Sequence, residues 1–316
     1  MPNIAKRIPT EAAAYELLEE WRWHGMPVCP HCGSIAEHYF LTPRNGSTRE
    51  TNSGNQTERR LWKCRGCRKK FSVLTNTVMH GTHIPVRTWV FVFFELCSNK
   101  NGIAAREVER RYDLSPKSAW FMLHRIREAM STGPGADLFS GVVVADEAWI
   151  GGEPKNRHAN KRVGSKQGKT DKTPIVSLIN SETGEVRSKV VANVGRETLR
   201  AVITEQVDMA RSVLHSDSAG AYEAIGEDMA GHIAVNHSIG QYVLNGGGTN
   251  KVENYFSQLK RSIDGTHHHV SEEHLGRYLA EFDFRSSTHK ITDTERLNRL
   301  MGKVAGRRLT YRPVMA

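Results

Sequence analysis

The sequence predicts an α/β domain with a mixed β-sheet and flanking helices, preceded by a small zinc ribbon and a helix-turn-helix. Three observations predict this order. Two Cys-x-x-Cys pairs occur early in the chain, two short helical segments separated by a turn follow them, and strand-like and helical segments alternate from residue 141 onward. We therefore divide the chain into a zinc-ribbon region at residues 1–80, a helix-turn-helix region at 81–133 and the α/β domain at 134–316.

The composition indicates a polyanionic partner. The 316 residues include 44 Lys and Arg against 34 Asp and Glu, which gives a net charge of +10 and a pI near 9.4. Such a balance is typical of proteins that bind nucleic acid, although a protein that is merely basic has it too. The densest apolar run, Trp89–Phe94, is too short to span a membrane, and the N-terminus lacks an apolar signal core. We therefore expect a cytoplasmic protein.

Four of the five cysteines form two pairs that predict one structural zinc site. Cys29 and Cys32 make the first pair, and Cys64 and Cys67 make the second. Each pair supplies two thiolates from a tight turn, and in a reducing compartment four thiolates complete a tetrahedral Zn²⁺ site. His31, inside the first pair, could replace a cysteine, but the four thiolates already fill the site. The alternative is four unliganded thiols.

The segment around the second cysteine pair predicts a surface that contacts DNA phosphates. Seven of the twelve residues from Arg59 to Lys70 are Lys or Arg, and Trp62 and Phe71 flank the pair. Basic side chains at this density neutralise phosphates. We assign the DNA contacts to Arg65, Arg68, Lys69 and Lys70. A solvated charged rim is the alternative, and the polar residues 42–57 form the loop at the tip of the ribbon.

A helix-turn-helix follows an apolar helix at residues 85–98. Residues 103–112 and 117–130 have helical patterns, and Ser115 and Pro116 suit the N-cap and the first position of the second helix. A second helix with exposed basic and polar side chains is typical of recognition in the DNA major groove. We expect Lys117, Ser118, His124, Arg125 and Arg127 to be exposed there, with Lys117 and Arg125 contacting DNA. A plain helical hairpin is the alternative.

The segments after residue 133 predict the order β-β-β-α-β-α-β-α. Strands are predicted at 141–150, 174–180, 185–194, 212–215 and 232–237, and helices at 196–206, 221–229 and 250–265. Residues 153–172, between the first two strands, form a basic loop that we expect to contact DNA.

The helix at 250–265 has one apolar stripe with charged residues at its edge. The stripe consists of Val252, Tyr255, Phe256, Leu259 and Ile263. Glu253 and Lys260 are seven residues apart, or two turns, so both point to the same side. From the edge of the stripe they can reach a shared cleft, whereas Asn250 points further toward solvent. An ordinary surface helix with a charged flank is the alternative.

Three carboxylates in this region predict a metal site. Asp146 interrupts the apolar first strand, Asp217 ends the fourth strand and Glu253 lies on the late helix. In a fold with this order the first and fourth strands are neighbours and the late helix packs beside their ends, so the carboxylates converge. Oxygen-only clusters suit Mg²⁺ or Mn²⁺, and Lys260 would hold a phosphate nearby. Glu147 is a weaker candidate, because adjacent strand residues face opposite sides.

Several segments carry a resemblance to a known family. They are CPHC with CRGC, VADEAWIGG, HSDSAGAY, NKVENYFSQLKRSIDGTHHHVS and EEHLGRYLAEFDFR, in this order along most of the chain. The chain resembles the ISXO2-like insertion-sequence transposases of the DDE class. The resemblance implies an RNase H-like fold in which Asp146, Asp217 and Glu253 are catalytic metal-binding carboxylates and Lys260 is the associated basic residue. Some relatives have asparagine in place of the third acid, so Asn250 stays an alternative to Glu253.

The resemblance also implies an activity and partners. It implies a DNA transposase that cleaves the ends of its element and joins the 3′-hydroxyl to target DNA. Double-stranded DNA is the expected partner, and we expect a homo-oligomer on DNA in the bacterial cytoplasm, at the nucleoid. A non-catalytic DNA-binding protein and a plain metal-dependent nuclease are the other two interpretations. His267, His268 and His269 could form a metal tract, but a turn before the next helix explains them better.

Overall fold

The computed structural model describes residues 2–35, 38–41, 49–50, 56–57, 60–133, 135–151, 172–217, 220–235 and 248–310. The chain divides into two compact units, the first made of Met1–Met130 with Ile291–Ala316 and the second of Ser131–Lys290. The zinc-ribbon and helix-turn-helix regions therefore share one unit. The second unit ends at Lys290 and not at residue 316, the end of the predicted domain. The helix at Asp293–Gly302 instead packs on helices of the first unit.

Helices and strands occupy the following residues. The helices are α1 (Pro2–Arg7), α2 (Glu11–Trp23), α3 (Val86–Ser98), α4 (Ala105–Tyr112), α5 (Pro116–Met130), α6 (Arg196–Gln206), α7 (Gly220–Gly226), α8 (Asn250–Ser262), α9 (Glu272–Ser287) and α10 (Asp293–Gly302). The strands are β1 (Tyr39–Phe40), β2 (Arg49–Glu50), β3 (Gln56–Thr57), β4 (Trp62–Lys63), β5 (Lys70–Phe71), β6 (Phe139–Ile150), β7 (Thr173–Asn180), β8 (Val186–Val190), β9 (Val207–Asp217) and β10 (Gly231–Val235). None of the helices in the described ranges is long and apolar enough to cross a membrane. The predicted basic loop at 153–172 lies outside the described residues except for Lys172, and so does most of the predicted tip loop at 42–57.

The first two long helices begin where a side chain caps them. Thr10 caps α2, because its hydroxyl accepts the backbone N–H of Ala13 (3.2 Å). α3 starts after Pro85, which offers no side-chain cap. The Glu11 carboxylate at the start of α2 takes this role and accepts the N–H of Val86 (2.6 Å) and that of the next residue (3.0 Å). A carboxylate is stabilised at a helix N-terminus, so Glu11 joins α2 to α3.

α4 and α5 lie close to their predicted bounds. α5 begins at Pro116, and the Ser115 hydroxyl accepts a backbone N–H of the first turn (3.2 Å), as predicted. α4 is held to α3 by Glu95, which is 2% exposed. The Glu95 carboxylate accepts hydrogen bonds from Arg111 (2.7 Å) and Tyr112 (2.9 Å). A buried carboxylate needs such partners, so the pairing fixes α4 against α3.

The exposure predicted for three residues of α5 is wrong. His124, Arg125 and Arg127 are 0%, 7% and 1% exposed, because the middle of α5 is buried on all sides. The Arg125 guanidinium donates to the backbone carbonyl of His80 (2.7 Å) and lies 5.2 Å from the ring centroid of Trp89. Arg125 therefore supports the interior of the first unit, and we remove it from the DNA contacts. Of the other two side chains predicted to be exposed, Lys117 is exposed and Ser118 is half-buried.

The second unit contains a five-stranded mixed sheet in the order β10-β9-β6-β7-β8. β7 is antiparallel to both β6 and β8, whereas β9 is parallel to both β6 and β10. The first and fourth strands of this unit, β6 and β9, are thus neighbours, and the predicted order β-β-β-α-β-α-β-α is confirmed. α8 and α9 cover one face of the sheet, and α6 and α7 cover the other.

Two strands differ from the prediction by four residues or more at one end. β9 covers Val207–Asp217 instead of 212–215, because it starts directly after α6 and its first half is polar and partly exposed. β8 ends at Val190 instead of at 194, since the chain leaves the sheet there to reach α6. Polar strand residues and short connections give weak patterns, so strand ends were the least predictable part of this sheet.

α8 has the apolar stripe that its sequence predicts. The five stripe residues are 0–6% exposed: Val252, Tyr255, Phe256, Leu259 and Ile263. They share one apolar core with residues of β6, β7 and α9. Burial of this stripe holds α8 against the sheet. α8 ends at Ser262, and a π-helical turn at Ile263–His267 leads toward α9.

Candidate metal sites and nucleic-acid interface

Four thiols lie together beside the small β1-β4-β5 sheet, which we call the ribbon. The Sγ atoms of Cys29, Cys32, Cys64 and Cys67 all lie within 4.8 Å of one another. The Cys29–Cys67 and Cys32–Cys64 sulfur distances are both 3.7 Å. Sulfurs around a tetrahedral Zn²⁺ with bonds of about 2.3 Å are separated by about 3.8 Å. The four predicted cysteines are therefore positioned for zinc binding.

Two matching turns present these thiols. The residue after each pair has a positive φ, 72° at Gly33 and 62° at Arg68. Its N–H donates to the carbonyl of the first cysteine of the pair, at 2.9 Å for Cys29 and 3.1 Å for Cys64. Glycine adopts this conformation freely, whereas a residue with a Cβ, such as Arg68, is strained by about 1–2 kcal/mol. The strained conformation of Arg68 persists because contacts around the turn stabilise it, and the cluster of four sulfurs provides such contacts here.

The electrostatics of the cluster favour a thiolate at Cys64. Burial acts to raise the pKa of Cys64, but hydrogen bonds from the Cys67 N–H and the neighbouring thiols outweigh it and lower the pKa to about 6. The thiolate is the form that binds a metal. His31 lies outside the cluster, with its Nε2 3.3 Å from the Lys70 carbonyl oxygen. Four sulfurs therefore account for the site without a histidine.

The ribbon has an aromatic face and a basic face. Successive strand residues point to opposite sides, and cross-strand neighbours share a side. The aromatic face carries Phe40, Trp62 and Phe71. It packs on Trp23 of α2, whose ring centroid is 6.2 Å from that of Trp62 and 5.7 Å from that of Phe71. The basic face carries Tyr39, Lys63 and Lys70. Trp62 and Phe71, the two aromatic residues of the basic segment, thus pack on α2 beneath the basic face.

An exposed tyrosine lies among the cations of the basic face. Tyr39 is 46% exposed, and the Arg65 guanidinium lies 5.5 Å from its ring centroid. The hydrogen bond from Arg65 and its charge lower the pKa of Tyr39, with further help from Arg68 and Lys63. Tyr39 was not among the predicted residues, because only the strand pairing reveals that it shares a side with Lys63 and Lys70.

The predicted DNA contacts of the ribbon are exposed. They are Arg65, Arg68, Lys69 and Lys70. Arg60, in the same basic segment, instead pairs with Glu16 and Glu19 of α2, each at 3.0 Å. Its charge is locally balanced, so the cationic surface is narrower than the run of basic residues suggests.

Asp146 and Asp217 lie side by side on neighbouring parallel strands. β6 and β9 pair in register up to Val144 with His215, and each aspartate follows two residues later. Residues two apart on a strand point to the same face. Val144 belongs to the apolar core under α8, so both carboxylates project toward the side of the sheet that α8 covers. The structure brings these two predicted residues together.

Glu253 on α8 completes the group of predicted acids. The pKa of Asp146 is raised to about 6, chiefly by burial and also by the negative charges of Asp217 and Glu253. The Glu253 carboxylate accepts a hydrogen bond from the hydroxyl of Thr249 (2.7 Å), the residue that precedes α8. Across the described residues, the four cysteines are the one set of three or more side chains drawn together closely enough to hold an ion, and the three acids do not form such a set.

Glu147 and Tyr222 add a second acidic group on the opposite face of the sheet. The pKa of Glu147 is raised to about 7 by burial and by the charges of Asp146 and Asp217. Tyr222 on α7 is fully buried, and burial together with the negative charge of Glu147 raises its pKa well above the usual value. Sequence analysis missed Tyr222. Its signal is the position in HSDSAGAY, just after Asp217 at the start of the next helix.

Basic residues of α8 lie on both sides of Glu253. Lys260 is exposed two turns away, about 10 Å along the helix axis. Lys251, which was not predicted, donates from Nζ to the Ser181 carbonyl (2.9 Å). Burial lowers the pKa of His215, and the charges of His232 and Lys251 lower it further. Lys251 therefore lies near the end of β9 that carries the aspartate.

The histidines at 267–269 form the turn before α9. The His267 ring packs edge-on against Tyr278, with centroids 4.8 Å apart. His268 Nδ1 lies 3.0 Å from the Asp264 carbonyl oxygen in a residue with φ of 58°. No metal-ligand set in the described part of the chain includes them.

Comparisons with known proteins give two matches to protein families. Residues 138–287 match the family described as "ISXO2-like transposase domain", and residues 9–70 match the "transposase zinc-ribbon domain". The first range contains Asp146, Asp217 and Glu253, and the second contains the four clustered cysteines. Comparison with curated proteins finds no match.

One solved structure is similar at a low level. It is the cryoEM structure of the simian T-cell lymphotropic virus intasome in complex with PP2A regulatory subunit B56 gamma. The sequences are 11% identical over 56% of this chain and 63% of that chain, with a TM-score of 0.28. The chain thus spans less than two thirds of that chain's length, and a similarity this low carries no argument about function.

Proposed function

Because this chain belongs to the ISXO2-like transposase family, we propose that it is an enzyme that cleaves the ends of a DNA element and joins them to target DNA. One observation carries the proposal. Asp146 and Asp217 lie side by side on β6 and β9, and Glu253 on α8 is close enough to raise the pKa of Asp146. Three carboxylates this near to one another repel unless a cation balances them. The sheet order and strand directions support an RNase H-like fold for this unit.

The donor set fits a divalent metal. Asp146, Asp217 and Glu253 offer only carboxylate oxygens, which Mg²⁺ and Mn²⁺ prefer. When bound there, such ions lower the barrier to phosphoryl transfer by activating a water or a 3′-hydroxyl and stabilising the leaving oxygen. We therefore assign these three residues as catalytic metal ligands, and Glu253 rather than Asn250 as the third.

Other residues of the unit orient the acids and the DNA. The Thr249 hydroxyl holds one oxygen of the Glu253 carboxylate. Lys260, which lies on the same side of α8 as Glu253, would bind a phosphate beside the scissile bond. Lys251 precedes Glu253 by two residues and points to another side of α8, where it donates to the Ser181 carbonyl. Loss of Lys260 alone should weaken cleavage only partly.

The first unit is the proposed DNA-binding part. The basic face of the ribbon, together with Arg65, Arg68 and Lys69 of the turn between β4 and β5, would contact the DNA backbone. A structural zinc at the four cysteines would hold the ribbon together. We also propose that α4 and α5 act as a helix-turn-helix. Lys117 lies at the exposed N-terminal end of α5, the part of a recognition helix that reaches bases.

The proposed reaction has consequences for assembly and location. A transposable element has two ends that must be cut and joined together, and double-stranded DNA is the substrate at both. We therefore propose a homo-oligomer on DNA, in which each copy of the chain supplies one set of acids. The proposed place of action is the bacterial cytoplasm at the nucleoid.

A cleavage assay tests the proposed function. Purified protein, Mn²⁺ and a labelled plasmid that carries the element ends should give ordered strand cleavage and joining. Asp146→Asn, Asp217→Asn and Glu253→Gln should each lower cleavage by about 100-fold or more, with DNA binding nearly unchanged. Asp208→Asn is the matched control. It removes a carboxylate from the same strand as Asp217, 3.9 Å from Arg211, and should cleave normally.

The other outcomes discriminate between interpretations. Nonspecific degradation by the wild type would indicate a plain nuclease. Specific binding without cleavage would indicate a non-catalytic DNA-binding protein. If Asn250→Ala abolished cleavage and Glu253→Gln did not, the third ligand would lie one turn earlier on α8.

A further inference from the structure

A buried polar cluster joins α8 to the edge of the sheet. It consists of Tyr255 on α8, Asp283 on α9, and Ser177 and Ser188 on β7 and β8. Asp283 Oδ1 accepts hydrogen bonds from the Tyr255 hydroxyl (2.6 Å) and the Ser188 hydroxyl (2.7 Å). The Ser188 N–H donates to Oδ2 (2.7 Å), and the Ser177 hydroxyl lies 2.8 Å from that of Ser188. Tyr255 and Asp283 are only 5% and 7% exposed, so the cluster is shielded from water.

The cluster lies where the sheet ends. β8 is the edge strand, and its outward N–H groups recur at every second residue. Two of them are satisfied by α9: the N–H of Val186 donates to the Ser287 hydroxyl (2.9 Å), and that of Ser188 to Asp283. Asp283 and Ser287 are four residues apart, on one face of α9. α9 thus covers the edge, and Asp283 links that edge to α8.

The hydrogen bond between Tyr255 and Asp283 affects the position of Glu253, because both Tyr255 and Glu253 lie on α8. Tyr255 follows Glu253 by two residues, about 200° around the helix, so Tyr255 lies in the buried stripe and Glu253 lies beside the opposite edge of that stripe. Apolar burial is not directional, and the stripe alone leaves α8 some freedom to rotate. A rotation of about 20° moves a carboxylate roughly 6 Å from the helix axis by about 2 Å, enough to lose a metal ligand. The hydroxyl of Tyr255 removes this freedom, because its hydrogen bond to Asp283 is short and directional.

We propose that Tyr255, Asp283 and Ser188 are positioning residues that set the rotation of α8 and so hold the Glu253 carboxylate where it shares a divalent cation with Asp146 and Asp217. The proposal rests on the proposed metal site. A buried carboxylate is costly unless it is hydrogen-bonded, and apolar side chains would stabilise this contact as well. A polar cluster at this point therefore fits a role in orientation better than a role in stability.

Mn²⁺ affinity of the full-length protein tests the proposal without an activity assay. Isothermal titration calorimetry with MnCl₂ should give a Kd about tenfold higher for Tyr255→Phe, which removes only the hydroxyl. The matched control is Phe256→Leu, the next residue of the same stripe, which is 5% exposed and has no hydrogen bond to lose. Phe256→Leu should lower the thermal midpoint yet leave the Kd unchanged. Tyr255→Phe combined with Asp283→Leu, which removes the acceptor, should bind Mn²⁺ no more weakly than the weaker-binding single variant, because both substitutions break the same hydrogen bond.

The Mn²⁺ titrations distinguish a failure of the positioning role from a failure of the proposed metal site. The positioning role is overturned if Tyr255→Phe binds Mn²⁺ like the wild type, or if Phe256→Leu raises the Kd by the same factor. Loss of Mn²⁺ binding in Glu253→Gln would at the same time leave the proposed metal site standing. A wild type that binds no Mn²⁺ would overturn both. Should Tyr255→Phe fail to fold, Asp283→Leu, which removes the acceptor of the Tyr255 hydroxyl at similar side-chain size, replaces it in the comparison.

Discussion

At the scale of the residue, Asp283 shows how burial changes the titration of one carboxyl group. Its carboxylate accepts three hydrogen bonds, which favour the charged form, yet burial outweighs them and raises its pKa to about 7. In the unfolded chain an aspartate titrates near pH 3.9. Between about pH 4 and 7 the unfolded chain has therefore released a proton that the folded protein still holds. Folding stability falls as the pH rises through this window.

Replacement of Asp283 by asparagine should remove this pH dependence. Denaturant unfolding of the second unit, followed at pH 4 to 8 with chelator present, gives the free energy of unfolding for both proteins. The free energy of unfolding of the wild type minus that of Asp283→Asn should decline by at most about 4 kcal/mol between pH 4 and 7. Above pH 7 this difference should stay constant. Asp146 and Glu147 also have raised pKa values, but both proteins contain them, so they cancel in the difference. Two parallel curves would contradict the raised pKa.

At the scale of the element, length decides what could be predicted from the sequence. The apolar stripe of α8 repeats over three turns, so its buried face was found from periodicity alone. The ribbon strands are two residues long, and no periodicity exists in two residues. Tyr39 was therefore missed. The buried state of Arg125 was missed for another reason: its partners, His80 and Trp89, lie more than thirty residues away in the sequence.

The basic face of the ribbon makes a prediction about salt. A Lys70→Ala variant should lower the slope of log K against log salt by about one, because one phosphate contact and its released counterion are lost. Tyr39→Ala should weaken DNA binding by about fivefold with an unchanged slope, since a neutral ring in contact with DNA contributes roughly 1 kcal/mol without releasing ions. Fluorescence anisotropy at several salt concentrations measures both quantities.

The control for the basic face is Arg211→Ala. Arg211 is an exposed arginine of β9 that lies 3.9 Å from Asp208, so the variant changes the charge by the same amount in the second unit. Its slope should equal that of the wild type. A reduced slope for Arg211→Ala, or full affinity for Tyr39→Ala, would assign DNA binding to a different surface.

At the scale of the whole molecule, the first unit is built from two separate stretches of sequence. α10 packs on α2 and α3, and the Lys303 ammonium and the Arg307 guanidinium donate to backbone carbonyls at the end of α5 (3.0 and 2.7 Å). The side chains of Leu297 and Leu300 are buried in this contact. The C-terminal residues were predicted to belong to the α/β domain, because their partners in the first unit precede them by about 200 residues and no local pattern points to those partners.

A chain that ends at residue 290 should lose stability in the first unit only. Removal of α10 uncovers apolar side chains of α2 and α3, whereas the five-stranded sheet loses nothing. Hydrogen exchange should show faster exchange in α3 and α5 and unchanged protection in β6 and β9. Leu300→Ala in the full chain should cost about 2–5 kcal/mol in the same unit. Equal loss of protection in β6 would contradict this division of the chain.

The divided first unit also sets an order of events during protein synthesis. The chain leaves the first unit at Met130 and returns to it at Ile291. A ribosome adds about 5–20 residues per second, so the intervening stretch of about 160 residues takes roughly 8–32 s to make. The second unit, with all three acids, is therefore complete while the first still lacks α10. We expect the first unit to reach full stability last. If the proposed function is right, a prematurely terminated chain would then have all three acids and bind DNA weakly.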